Sequence, residues 1–220
     1  MDVYEALYTT RAMRRVTSDP IPMEVQAKIL DAAIRAPSGG NSQNWRFLLV
    51  DDTDVKAKLA PIYRAAITTL WATIYADRIA EALADPDDPE SVSMLAVQRS
   101  AEWLADHFAE VPLYLFGFAQ HDTSGSSVYP AVWSAQLAAR AEGVGSSLTQ
   151  VLAFSDAEVK EILGVPAAEG WHMNCCVSFG YPTGRWGVAK RQPAHEVSFR
   201  NQWGSPVGFE LAEPLWPGDA

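Results

Sequence analysis

"TTRAMRRVTSDPIPMEVQAKILDAAIRAPSGGNSQNWRFLLV", residues 9–50, sets five kinds of sequence in a row. It opens on a basic cluster, Arg11, Arg14 and Arg15, and passes through a "DPIP" turn at 19–22 whose Pro22 suits the first turn of a helix. Val25, Ile29, Ala32, Ala33 and Ala36 then recur at helical spacing, which predicts an amphipathic helix ending before Pro37. "RAPSGGNSQNW" (35–45) follows, with Gly39, Gly40 and the side-chain amides of Asn41 and Gln43. "WRFLLVDD" beyond it reads as a buried strand.

Outward from that stretch, helices outnumber strands. Asp2 is positioned to cap a short helix over "VYEALY", with Glu5 three residues on. Residues 54–82 and 90–109 are helical in pattern, separated by the solvated turn "ADPDDPES". "VPLYLFGF" (111–118) reads as a second strand and "HDTSGSS" as a loop. Pro130 is expected to open an Ala-rich, buried helix through Ala141 that Gly143 can end. "SDAEVKEILG" (155–164) predicts a helix with a capping box of Ser155 and Glu158. "WHMNCCVSFGYP" predicts a third strand, in which the adjacent Cys175 and Cys176 point to opposite faces and are structural. The last 35 residues, of weak periodicity with Pro and Trp scattered through them, look like an arm that needs another surface. The order is not a regular βαβ alternation, so the expected class is α+β, helices around one sheet, over a doubly wound alternative.

A chain of 220 residues fits one domain. Its formal charge of −10 opposes nucleic-acid binding, which requires many neutralised phosphates. The longest apolar run, from 111, is far short of the roughly 20 residues that span a bilayer. The N-terminus lacks a basic end followed by an apolar stretch, so no membrane partner and a cytoplasmic location are expected. His107, His121, His172 and His195 have no metal-ligand spacing, and no metal is expected. There is no phosphate-loop or Gly-x-Ser-x-Gly motif, and "GVGSSL" (143–148) lacks the third glycine of a dinucleotide fingerprint.

What remains is a basic island in an acidic chain. Arg11, Arg14 and Arg15, with the distant Lys190 and Arg191, can converge on one phosphate monoester through forked hydrogen bonds, or can be dispersed surface charge. The 35–45 loop offers backbone donors at Gly39 and Gly40 and amides suited to a heterocycle, or is simply a well-bonded connection. A phosphate at one end and a flat heterocycle at the other describe a flavin mononucleotide, FMN.

The 9–50 stretch resembles the N-terminal signature of the flavin-dependent nitroreductase superfamily: Arg-Arg-Ser-x-Arg, a Pro-x-Pro turn, a helix, then Ala-Pro-Ser-x-x-Asn-x-Gln-Pro-Trp. "VYPAVWSAQLAARAEGVGSSLTQVL" (128–152) and "GYPTGRWGVAKRQPAHEV" (180–197) resemble its later blocks, in the same order. The resemblance implies an α+β fold with a central, mainly antiparallel sheet flanked by helices, as an intertwined homodimer with FMN at the subunit interface. It implies one domain over 1–220, with 54–109 a helical lid and 186–220 a C-terminal arm over the partner subunit.

By the same resemblance Arg11 and Arg191 hold the flavin phosphate, and Arg14 lies by the N1/O2 edge. Pro37, Ser38, Gly39 and Asn41 come from the partner. Ser147, Leu148 and Thr149 fall where backbone N–H groups pass N5 and O4, and the Thr149 hydroxyl is the candidate partner of N5; its alternative is a loop threonine bonded to its own backbone. Thr10 stands in place of the signature's first arginine, and Ala12 occupies the cofactor-binding position of its serine. Two phosphate contacts are thereby lost, with Arg15 or Lys190 available to compensate.

The implied activity is a ping-pong transfer of hydride from NAD(P)H through flavin N5 to a small-molecule acceptor: a nitroaromatic, a quinone or an activated alkene. Tyr63, Trp71, Tyr75 and Trp103 in the lid can stack on that acceptor or belong to the core. Alternatives are a reductive dehalogenase or a flavin-fragmenting enzyme within the family, a non-catalytic flavin-binding protein, or a helical interaction domain. The lid has no clear match to the Glu-Tyr-Lys set with which the dehalogenases grip an amino-acid zwitterion.

Overall fold

The strand read from "VPLYLFGF" lies inside the sheet and is apolar throughout because both of its faces are covered. In the computed structural model, which describes residues 1–211 and 213–216, the order is α1 (Val3–Thr9), α2 (Met23–Ala33), β1 (Trp45–Val50), α3 (Thr53–Ala72), α4 (Ala76–Ala84), α5 (Pro89–Asp106), β2 (Leu113–Ala119), α6 (Val128–Ala141), β3 (Gly145–Thr149), α7 (Asp156–Ile162) and β4 (His172–Gly180). Among the described residues the strands form one sheet in the order β1-β2-β4-β3, every named pair antiparallel.

Alternation along β2 sends Leu113 and Leu115 into the layer with α2 and α6, and Tyr114, Phe116 and Phe118 into the layer with α3 and α5. β4 divides the same way, with Cys175, Val177 and Phe179 on one side and Met173 and Cys176 on the other. Met173 and Cys176 share a face despite their odd spacing because Asn174 is an extra residue there: Phe118 pairs with Met173 and Gly117 with Cys175. The two thiols therefore sit in different layers, and burial raises both, Cys175 to about 12 and Cys176 well above the ordinary thiol value. α6 approaches the sheet closely through Ala131, Ala135 and Ala139. A β-carbon at Gly117 would lie 2.8 Å from Val128 Cγ1.

The turn leading into α6 is organised by Asp122, which accepts from Ser127 N (2.9 Å), Ser126 N (3.1 Å) and Ser124 Oγ (2.7 Å). The Ser127 N–H, joined by these other donors, lowers its pKa to about 2. Asp122→Ala should cost about 1 kcal/mol at neutral pH. A carboxylate with a depressed folded pKa stabilises above its unfolded value and loses that contribution as pH falls through the folded one. The gap between wild type and variant in urea melts should therefore close as pH falls from about 4 to about 2.

The structure differs from the sequence reading at four places. The helix expected over 54–82 is two helices, broken where Thr73 leaves helical geometry (φ −123°, ψ −72°). The break follows Thr68, Thr69 and Thr73, whose hydroxyls bond back to carbonyls four residues earlier, a competitor of the helix ladder. Ser155 makes no capping bond, because the preceding 3₁₀ turn (Val151–Ser155) runs into α7 and leaves its ψ at 38°, not the extended value a capping side chain needs. α6 begins at Val128, two residues before Pro130. β3, "GSSLT", is a strand that its composition does not predict: its glycine and serines have weak strand propensity, and pairing with β4 holds it extended.

Candidate active site

The arginine segment lies along the outer edge of β3. Ala12 bridges Ser146, with Met13 N donating to Ser146 O (2.9 Å), and Val16 bridges Pro182, with Thr17 N donating to Tyr181 O (2.8 Å). Gly145 and Gly180, paired across β3 and β4, make this approach possible. A β-carbon at Gly145 would lie 2.8 Å from Met13 Cβ, and one at Gly180 2.7 Å from Val16 Cβ. Ladder alternation turns the N–H of Leu148 to the same edge as the Ser146 carbonyl, beyond the last bridge to the arginine segment.

Arg14 belongs to two cavities. One, of about 560 Å³, lies between β3 and the helices α3–α5, and its wall includes Arg14, Tyr63, Trp71, Tyr75, Leu148 and Thr149. The other, of about 520 Å³, is lined by Arg11, Ala12, Arg14, Arg15, Arg99, Thr183 and Gly184, among others. Burial lowers the Arg14 pKa, partly offset by Tyr63, yet a guanidinium stays charged. Burial pushes Tyr63 up to about 12, against the opposing pull of the Thr149 hydroxyl and the Arg14 charge. Arg14, Tyr63 and Thr149 thus form one polar group on the cavity wall. Thr149 Oγ1 also accepts from Val151 N at 3.4 Å, the local backbone bond weighed above.

Among the described residues, Arg11, Arg14, Arg15 and Arg99 form no ion pair; the cations that do are Lys28, Arg35, Arg64, Arg140 and Lys160. Arg11 donates to the Arg185 carbonyl (2.9 Å). The expected meeting of Arg11 with Arg191 does not occur within one chain. The backbone after Arg185 crosses α1, with Ala189 N donating to Tyr8 O (3.0 Å), and delivers Arg191 to a separate cavity beside Tyr8 and Trp133. There Arg191 donates to the carbonyl of Lys190, which lines none of these cavities.

Pro37, Ser38, Gly39 and Asn41 line none of them either. Their loop lies near the start of α6, where Gly39 N meets Ser127 Oγ at 3.5 Å, and it is folded tightly: Gly40, Asn41 and Gln43 have φ of 57°, 55° and 50°. Three of its N–H groups are spent internally, from Asn41 to Ser38 O, from Ser42 to Gly39 O and from Gln43 to Ser38 Oγ. Ser147 is buried and its hydroxyl has no partner. Trp103 stacks on His107 (centroids 4.1 Å apart) away from these cavities. Sequence reasoning missed Arg78, Glu90 and Arg99, single charges on polar helix faces; the spacing Ala96, Arg99, Ser100 on α5 was the available signal for the last. No cluster of potential metal ligands occurs among the described residues, and none of their helices is long and apolar enough to cross a membrane.

Residues 7–181 match the family model described as the Nitroreductase family. A protein named NADH dehydrogenase from Thermus thermophilus is 28% identical over 204 residues, covering 90% of this chain and 95% of its own length. Iodotyrosine deiodinase 1 from Rattus norvegicus is 41% identical over 61 residues, which are 28% of this chain and 21% of that protein. Among solved structures, oxidized iodotyrosine deiodinase bound to FMN and 3-iodo-L-tyrosine superposes with a TM-score of 0.69 at 24% identity, over 91% of this chain and 99% of that one. The FMN-dependent nitroreductase NfnB from Mycobacterium smegmatis, in complex with NADPH, gives 0.66 at 21% identity, over 90% and 96%. At these identities the structures speak for the shared fold, an antiparallel sheet flanked by helices. With the family model spanning most of its length, the chain belongs to the nitroreductase family.

Proposed function

We propose that the protein is an FMN-dependent oxidoreductase that takes hydride from NADH or NADPH and delivers it to an electron-poor acceptor, a nitroaromatic, a quinone or an activated alkene. The observation that carries this reading is Arg14, shared between a cavity rich in unpaired arginines and one walled by aromatic side chains. An anionic tail and a flat ring joined end to end fit that pair of spaces. When bound, FMN would supply the redox chemistry, accepting hydride at N5 from the nicotinamide and giving it to the acceptor.

The chain's residues bind and tune that group. Arg11 and Arg15 offer forked donors to the phosphate. Arg14 brings a fixed positive charge to the ring edge where reduction builds negative charge. The backbone N–H of Leu148 and the Thr149 hydroxyl serve the opposite polar edge, with Tyr63 against Thr149 limiting its rotation. Trp71 and Tyr75, with ring centroids 5.1 Å apart, offer an apolar wall to a flat acceptor. Helices α3–α5 act as the lid of one domain. In a homodimer in the cytoplasm, Pro37, Ser38, Gly39 and Asn41 cover the partner's flavin, and the arm from 186 lies on the partner; its Trp203 is 92% exposed here.

A second reading, reductive dehalogenation of a halogenated aromatic, is favoured by Arg78 and Glu90, which put both charges on the aromatic cavity beside Tyr75. The test is anaerobic. Purified protein should take up FMN, NADH or NADPH should bleach it, and a nitroarene, quinone or iodophenol should restore the colour. A protein that binds no FMN overturns the reading, and bound FMN that neither nicotinamide reduces turns it to flavin sequestration.

A further inference from the structure

We propose that Arg99, on the lid helix α5, is a ligand of the flavin phosphate and takes over contacts that Thr10 and Ala12 give up. The proposal rests on the flavin reading above. Arg99 faces the extended Arg11–Arg15 segment across the cavity of about 520 Å³, with Ala96 and Ser100 of the same helix beside it. Four arginines line one space, their like charges repel, and among the described residues no carboxylate pairs with any of them, in a chain whose formal charge is −10. Acidic side chains are abundant, yet this cavity's lining contains none. That arrangement is relieved by an external anion of more than one charge, which a phosphate monoester provides and a carboxylate does not.

Position supports Arg99 over the other candidate. Lys190 does not line this cavity. The opposite flank of α5, through Ser93, Met94, Val97 and Ala101, lines the aromatic cavity. One helix therefore spans both spaces. A phosphate held by Arg99 ties the lid to the cofactor, so FMN should order α5 as well as fill the site.

Affinities of FMN and of riboflavin, which lacks the phosphate, are measured by fluorescence quenching on the full-length protein and on Arg99→Ala and Arg99→Lys. Arg99→Ala should weaken FMN about 10- to 100-fold and leave riboflavin within about twofold, with Arg99→Lys recovering part of the loss. FMN should also slow amide exchange in α5 of the wild type and fail to do so in Arg99→Ala. Unchanged FMN affinity, or an equal loss for riboflavin, overturns the assignment. A wild type that binds neither flavin overturns the flavin reading and this assignment with it.

Discussion

Gly180→Val should strip the arginine segment from the sheet, lowering both stability and flavin affinity. The new β-carbon would fall 2.7 Å from Val16 Cβ and Cγ2 and 3.2 Å from Pro112 Cδ. A β-branched valine and a proline ring cannot swing aside, so the backbone of residues 12–17 must move. Overpacking of this kind costs about 1–3 kcal/mol. It also breaks the bond from Thr17 N to Tyr181 O and the Val16–Pro182 bridge, which set the height of Arg14 and Arg15 above β3. Thermal melts should show the loss of stability, and an FMN titration a loss of affinity of at least about tenfold. Gly187→Ala, where a β-carbon meets nothing within 4 Å, is the control and should change neither.

Arg14→Met should slow reduction of bound FMN by NADH or NADPH about 10- to 100-fold, with a smaller change in FMN affinity. Methionine keeps most of the side-chain bulk on the cavity wall and removes the charge with its donors. A charged donor aimed at developing negative charge contributes about 1.5–3 kcal/mol, the source of that range. Stopped-flow bleaching under anaerobic conditions reads it directly. A variant that reduces at the wild-type rate but loses FMN would move Arg14 from the ring edge to the phosphate.

The sequence made the middle of the fold legible and left its edges dark, for physical reasons. β2 and β4 are buried on both faces and so read as apolar runs, continuous in β2 and broken in β4 by Asn174 and Ser178, and α2 shows its one buried face as a clear period. β3 is a short edge strand of Gly, Ser and Thr with the single apolar Leu148, visible only once β4 and the arginine segment flank it. The break at Thr73 depends on side-chain bonds within one helix, which a count of apolar positions does not register.

At the site, Arg14, Tyr63, Trp71, Tyr75 and Thr149 come from four separate stretches of sequence and line one cavity. The roles assigned to them rest on family resemblance, since no spacing links residue 14 to 149. Arg99 carries no such resemblance, and only the facing of α5 toward the arginine segment singles it out. Within one chain Arg191 lies apart from Arg11, because the crossing over α1 is fixed by tertiary bonds in a stretch of weak periodicity, which no count of spacing registers.

The direct test of a flavin site shared between two chains is subunit complementation. One tagged chain carries Arg11→Ala with Arg14→Met and keeps its 37–41 loop; a second, differently tagged, carries Gly40→Val with Asn41→Ala and keeps its arginines. Each homodimer has two damaged sites, while the purified heterodimer has one site with both parts intact. FMN binding to the heterodimer should recover wild-type affinity at one flavin per pair of chains, with hydride transfer restored at that site. A heterodimer no better than either parent, or a monomeric wild type that holds FMN as tightly, would contradict the shared site.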